Sequence, residues 1–120
     1  MVFGTFDGLH EGHRYFLNEA KKLGDYLIVA VAHDSAVHLL KNKAPRQDAA
    51  ARVSALLFEN LADEVVVGDE KQGSWEVLKR HTPDIIALGH DQHELCNSLE
   101  PLQKEFGIEL VDVSLLKREI

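Results

Sequence analysis

Short apolar runs alternate along the chain with segments in which apolar residues recur at helical spacing. The continuous apolar run at residues 26–32 has the length of a strand that is buried on both faces. Similar runs predict four further strands, at residues 1–3, 64–67, 84–88 and 108–113. Spacing and capping residues predict helices at residues 34–40 with Asp34 as the N-cap, at 12–23, 48–60 and 98–107, and after Ser74.

Strands that alternate with helices in this way indicate an α/β domain. We expect a Rossmann-like fold in which a five-stranded parallel sheet carries helices on both faces. Residues 1–120 would form a single domain, since this length is usual for one. In such sheets a ligand binds beyond the carboxyl ends of the strands, so the segments to inspect are residues 4–13, 33–34 and 89–93.

Composition narrows the choice of partners. The net charge is -7, and 45% of the residues are hydrophobic. An acidic chain is a poor general ligand for nucleic acid, so we expect no nucleic-acid partner. The apolar runs are too short to cross a bilayer, and the single Cys96 cannot form an internal disulfide, which favours a cytoplasmic location. Phosphates could still bind if the few cations of residues 41–52 converge.

The loop after the first strand carries the strongest chemical signal. Gly4, Gly8 and Gly12 recur in it every four residues, and glycine allows a backbone to approach a ligand closely. His10 and His13 are three residues apart where a helix begins, so both imidazoles can donate hydrogen bonds to phosphates beside the helix N-terminus. Zinc is the other reading of paired histidines, although two ligands do not complete a site. The loop is neither a GxGxxG nor a Walker A motif.

These residues also carry a family resemblance. Gly4-Thr5-Phe6-Asp7 followed by His10-x-Gly12-His13 resembles the signature of the cytidylyltransferase-like nucleotidyltransferases, which share an α/β fold. The resemblance continues through residues 32–35, Lys41-x-Lys43-x-Pro45, Arg52, 63–65 and 83–92. These later segments are most similar to archaeal-type FAD synthases, which adenylylate FMN, and next most similar to glycerol-3-phosphate cytidylyltransferases.

The resemblance implies a role for each matching residue. The expected catalytic residues bind the triphosphate and neutralise its charge: His10, His13, Lys41, Lys43 and Arg52. The expected nucleotide-binding residues lie in two loops, and they are Gly4, Thr5, Phe6, Gly12, Gly89, His90 and Asp91. Asp7 and His33 are expected near the acceptor, with Mg²⁺ as an alternative for Asp7. Arg46 has no secure match in the family, and Trp75 is interpreted as a packing residue.

The expected reaction is attack by an acceptor phosphate on the α-phosphorus of ATP or CTP, with release of pyrophosphate. Mg²⁺ would be held mainly by substrate oxygens and water. FMN is the first choice of acceptor and glycerol 3-phosphate the second, and relatives suggest a homodimer. The family usually has residues before its first strand and a Ser/Thr-rich segment after its last. We therefore expect that the chain is trimmed at both ends, or that its site is incomplete, in which case it would bind nucleotide without turnover.

Overall fold

The computed structural model describes residues 1–42, 45–71 and 73–113. Within these ranges five strands alternate with helices. The strands are β1 (Val2–Gly4), β2 (Ile28–Val31), β3 (Glu64–Val67), β4 (Ile85–Leu88) and β5 (Glu109–Asp112). The helices are α1 (Glu11–Lys21), α2 (Asp34–Lys41), α3 (Ala49–Phe58), α4 (Glu76–His81), α5 (His93–Leu99), a 3₁₀ turn at Glu100–Leu102 and α6 (Gln103–Phe106). The α/β prediction is confirmed.

The strands are all parallel, but they form two sheets rather than the single five-stranded sheet that we expected. One sheet has the order β1-β2-β3, and the other pairs β4 with β5. Met1 links the two, because its amine donates to the carbonyl of Ile85 (2.8 Å) and its carbonyl accepts from the amide of Ala87 (3.0 Å). The prediction of one sheet was wrong because β1 is only 3 residues long and, among the described residues, the backbone hydrogen bonds to β4 come from Met1, just before it.

The sheets are covered on both faces, as the apolar strands predict. Along β2, Val29 and Val31 belong to one buried cluster and Ala30 to the other, as expected for a side-chain period of two. The first cluster includes Leu17 of α1 and Leu56 of α3. The second includes buried residues of α4 and α5: Val77, Leu78 and Leu99. Burial on both faces leaves the strand ends as the place for a ligand.

Two predicted helix starts need correction. His33, not Asp34, is the N-cap of α2, because the His33 side chain accepts the amide of Ser35. The carboxylate of Asp34 is instead bonded to residues of α3. Before α4, Ser74 donates its hydroxyl to the carbonyl of Lys71, and Trp75 holds the N-cap position in a left-handed conformation (φ 54°). At α2 the distant partner Arg52 overrides the local capping preference of Asp34, whereas before α4 the partner of Ser74 is only three residues away.

The last helical segment begins earlier than predicted. Helix α5 starts at His93 rather than Ser98, and Pro101 lies at the start of the 3₁₀ turn that separates α5 from α6. Gly107 ends α6 with φ 66°, as its position after the predicted helix indicated. No helix in the described ranges is both long enough and apolar enough to span a membrane.

Candidate functional site

A cavity of about 760 Å³ lies beyond the carboxyl ends of the strands. Its wall includes Gly4 at the end of β1, Ala32 just after β2, Gly68 after β3 and Gly89 after β4. The wall contains all the residues predicted to bind nucleotide or acceptor, and both histidines of the first loop: Gly4, Thr5, Phe6, Asp7, His10, Gly12, His13, His33, Gly89, His90 and Asp91. A smaller cavity of about 410 Å³ lies at the amino ends of the strands and contains none of them.

The paired histidines cap the first turn of α1 reciprocally. The Nδ1 atom of His10 accepts the amide of Gly12 (3.0 Å), and the amide of His10 donates to Nδ1 of His13 (3.3 Å). The two rings stack with their centroids 3.8 Å apart. Because both Nδ1 atoms act as acceptors, each neutral ring carries its proton on Nε2. The helix start thus fixes both imidazoles as Nε2–H donors in the wall of the cavity.

Small residues and one aromatic ring shape this loop. A Cβ at Gly4 would lie 2.6 Å from Cε2 of Phe6, so the close approach of that ring requires glycine. Phe6 is buried, adopts a left-handed backbone (φ 55°), and contacts the ring of His13 edge-on at a centroid distance of 5.2 Å. A strained backbone at a buried position costs free energy, so the surrounding packing has to hold Phe6 there. The Phe6 ring in turn supports His13.

Gly12→Ala is expected to disturb the His10 ring with little effect on folding. The added Cβ would lie 2.8 Å from Cε1 and 3.0 Å from Nδ1 of that ring, so the imidazole must move. Alanine otherwise favours the helix by about 0.8–1 kcal/mol over glycine. We expect a thermal midpoint close to that of the wild type and weaker triphosphate binding, measured by equilibrium dialysis. Gly24→Ala, at a glycine with no atom within 4 Å of an added Cβ, is the control. Unchanged triphosphate binding in Gly12→Ala would contradict the expectation that the position of the His10 ring matters for binding.

His33, just after β2, caps α2 through its Nδ1 atom, as His10 caps α1. Its Nδ1 atom accepts the amide of Ser35 (3.1 Å) and lies 2.9 Å from the hydroxyl of the same residue. The hydroxyl of Ser35 lies 3.3 Å from the carbonyl of Glu70, to which it can donate. His33 lines the cavity, as predicted.

Asp7 joins the first loop to the segment before α3. Its two carboxylate oxygens accept the backbone amides of Arg46 (2.8 Å) and Gln47 (2.9 Å). These amides, first that of Arg46, lower the pKa of Asp7, because they stabilise the charged form. Asp7 lies in the cavity wall, but its principal bonds hold the loop rather than point to a metal or an acceptor.

Arg52 is placed differently from the prediction. Its side chain is fully buried, and its donors are engaged by the carbonyl of Gln47 (3.0 Å), the carbonyl of Thr5 (2.8 Å) and the carboxylate of Asp34 (2.7 Å). The bond from Arg52 lowers the pKa of Asp34, whose second oxygen accepts the amide of Ala49. Arg52 does not line the cavity but holds its wall from behind, through the carbonyl of Thr5. The prediction missed this placement because the local sequence gives no sign of the burial of Arg52.

The roles of the two predicted lysines stay predictions. Lys41 is the last residue of α2, and Lys43 lies outside the described residues. Among the described residues, Arg46 and Lys71 line the cavity.

Two further residues of the wall were not predicted to act there. Gln92 accepts the amide of Gly89 on Oε1 (2.9 Å) and donates from Nε2 to the carbonyl of Phe3 (2.8 Å), so it joins the two sheets at their carboxyl ends. Trp75 packs against the second buried cluster, as we interpreted it, and it also lines the cavity and meets Phe3 edge-on at 6.2 Å. Gln92 lies after a strand whose end was expected to face a ligand, but no local sequence pattern indicated that its side chain would bond to Phe3.

Comparison with known proteins agrees with this geometry. The model of a family described as cytidylyltransferase-like matches residues 1–118. An FAD synthase of Pyrococcus abyssi is 41% identical over 115 residues, which cover 96% of this chain and 78% of the relative. An FAD synthase of Methanosarcina acetivorans is 43% identical over 119 residues, covering 98% and 68%. A solved structure, described as a lipopolysaccharide core biosynthesis protein of Thermoplasma volcanium, superposes with a TM-score of 0.82 at 35% identity, covering 93% and 92%.

Proposed function

Because this chain belongs to the cytidylyltransferase-like family and is a nucleotidyltransferase, we propose that it transfers AMP from ATP to FMN and forms FAD and pyrophosphate. The observation that carries the proposal is the pair of stacked imidazoles that cap α1 in the wall of a cavity beyond β1. Relatives described as FAD synthases support ATP and FMN as the substrates.

The proposed reaction needs little covalent help from the protein. A phosphate oxygen of FMN attacks the α-phosphorus of ATP, the new P–O bond forms, and the bond to the β-phosphate oxygen breaks. An ionised phosphate is already a nucleophile, so no general base is required. As charge grows on the leaving oxygen and the equatorial oxygens, Nε2–H groups of His10 and His13 would bind them more strongly. The N-terminus of α1 adds its partial positive charge.

The described side chains of the cavity do not form a ready metal site. Within the described ranges, no group of three or more histidine, cysteine or acidic residues lies close enough to hold a metal ion. Both carboxylate oxygens of Asp7 already accept backbone amides. We therefore propose that Mg²⁺ enters on the triphosphate, held by phosphate oxygens and water, where it would neutralise part of their charge.

The proposed acceptor agrees with the apolar part of the wall. Phe3, Trp75, Val77 and Leu95 all line the cavity, and an aromatic ring beside aliphatic side chains suits a flat isoalloxazine. A volume of about 760 Å³ also lies within the range of about 300–1,000 Å³ that ligand sites usually have. Glycerol 3-phosphate has no apolar ring to occupy this wall. It remains the second candidate acceptor because of the family to which the chain belongs.

We also propose that the chain acts as one domain, in the cytoplasm and without a nucleic-acid partner. The single Cys96 and the net charge of -7 support the last two points. A homodimer stays a prediction, and gel filtration with light scattering would measure it.

The direct test uses the purified chain with Mg²⁺, ATP and FMN. We expect FAD and pyrophosphate in equal amounts, with FAD separated by chromatography and pyrophosphate measured by a coupled enzyme. CTP with glycerol 3-phosphate is the parallel reaction, and each triphosphate alone is the blank. Pyrophosphate from CTP and glycerol 3-phosphate but not from ATP and FMN would favour the second acceptor. Binding of ATP with no pyrophosphate from either pair would favour a nucleotide-binding module without turnover.

A further inference from the structure

We propose that Arg46 is the guanidinium that binds a substrate phosphate beside the histidine pair. This inference rests on the proposed function, because it assigns one more group to the same site. Nothing in the family resemblance marks Arg46, so the inference comes from its position in the structure alone.

Arg46 is one of the few cationic side chains in the described wall of the cavity. Arg52, the arginine that the resemblance implied, is buried and bonded to protein oxygens. Among the residues that the structure describes, the permanently cationic side chains in the wall are Arg46 and Lys71. A guanidinium presents five N–H donors in a planar fork that matches two oxygens of a phosphate, whereas an ammonium acts as a point charge. Of the two, Arg46 is better suited to hold a phosphate in a defined orientation.

The backbone of Arg46 is held on both sides. Its amide donates to Asp7, and so does the amide of Gln47. The carbonyl of Gln47 in turn accepts Nε of the buried Arg52. A side chain on a fixed backbone loses less entropy when it orders on a ligand than one on a mobile loop. These bonds involve only backbone groups of Arg46 and Gln47, so they persist when the Arg46 side chain is changed.

The guanidinium lies against the glycine-rich loop. A Cβ at Gly8 would be 2.6 Å from Nη2 of Arg46, and Gly8 adopts φ 88°, which favours glycine. The guanidinium therefore covers the loop two residues before His10. Within the described ranges Arg46 forms no ion pair, although the pKa of Asp7 is lowered by the bonds from the amides of Arg46 and Gln47 and, after these, by the charge of Arg46. Its donors remain for a ligand that lies on the same loop.

The phosphate could belong to either substrate. The triphosphate of ATP and the monophosphate of FMN both have to reach the space beside His10 and His13, because transfer joins them there. A cation that contacts one of them lowers the Kd of that substrate more than the Kd of the other. Separate binding measurements therefore identify the source of the phosphate.

The experiment compares Arg46→Gln with Arg80→Gln. Arg80 is exposed on α4 and does not line the cavity, so its variant changes the net charge equally. We expect Arg46→Gln to weaken ATP or FMN binding about 10- to 100-fold, the usual effect of one charge-assisted hydrogen bond, while Arg80→Gln binds as the wild type. Equilibrium dialysis gives the Kd of each substrate, and melting curves check that both variants fold. Arg46→Lys should recover part of the loss, since it restores charge without the planar fork.

Weaker binding of ATP in Arg46→Gln would show that Arg46 binds the triphosphate. Weaker binding of FMN would show that Arg46 binds the acceptor phosphate. Equal Kd values for both substrates in Arg46→Gln and Arg80→Gln would overturn the inference. These binding data do not depend on turnover. A wild-type protein that binds ATP and makes no FAD would contradict the proposed function, and the Arg46 comparison would still be decided.

Discussion

Alanine at His10 or at His13 is expected to lower the rate of FAD formation about 10²–10³-fold, the usual cost of losing one transition-state hydrogen-bond donor. Each ring carries its proton on Nε2 because its Nδ1 accepts a backbone amide. The donor is therefore in place before the reaction begins, and no reorganisation is needed as charge develops. The decrease should appear mainly in kcat, since the bond strengthens in the transition state. Steady-state kinetics with varied ATP and FMN measure it.

A second substitution distinguishes the loss of the hydrogen-bond donor of His10 from the loss of its helix cap. His10→Ala removes both, and loss of an N-cap costs about 1 kcal/mol of stability. Asparagine is a good N-cap, so His10→Asn should restore the thermal midpoint while the rate stays low. His38→Ala, at an exposed histidine of α2 outside the cavity, is the control for loss of an imidazole. If the rate in His10→Asn recovered together with stability, His10 would act only as a cap.

Arg52→Leu is expected to produce the largest loss of stability. The substitution leaves the carbonyls of Thr5 and Gln47 without their buried donor, and the carboxylate of Asp34 without its cation. Losing a buried network of this kind costs about 3 kcal/mol or more. For a domain of this size that lowers the Tm by roughly 10 °C or more. Differential scanning calorimetry measures the change, and the activity at low temperature should also fall, because Thr5 lies in the cavity wall.

Arg14→Leu is the matched control for the Arg52 prediction. Arg14 donates to Glu11, which is exposed, and to Glu59, but both Arg14 and Glu59 are about a third exposed, so water reaches these pairs and not the Arg52 side chain. We expect a much smaller decrease in Tm than for Arg52→Leu. A normal Tm with weakened ATP binding in Arg52→Leu would mean that Arg52 acts on the triphosphate directly, as the family resemblance implied.

Local signals in the sequence were enough for most elements. Strand β3 has the predicted limits, and Asp48 caps α3 through the amide of Ala51 where the helix was expected to start. Both depend on residues close together in the chain. The division into two sheets depends on how far β1 extends beside β4, which no local pattern reports. The N-cap at His33 was missed because Asp34 is drawn to Arg52 of a later helix.

The same limit applies to the candidate site. The first loop could be identified from its glycines and histidines, because its residues follow one another in the chain. The positions of Arg46, Trp75 and Gln92 in the cavity wall depend on contacts with residues far away in sequence. The burial of Arg52 likewise depends on Thr5, 47 residues earlier. The role of Lys43 stays a prediction, since Lys43 lies outside the described residues.

Gln92 closes the gap between the two sheets at the edge that faces the cavity. A continuous ladder would fix that gap through backbone groups, which substitution leaves in place. Here the closure is one amide side chain between Gly89 and Phe3, so a single codon change can remove it. One substitution at Gln92 would therefore open this side of the cavity while every strand kept its partner.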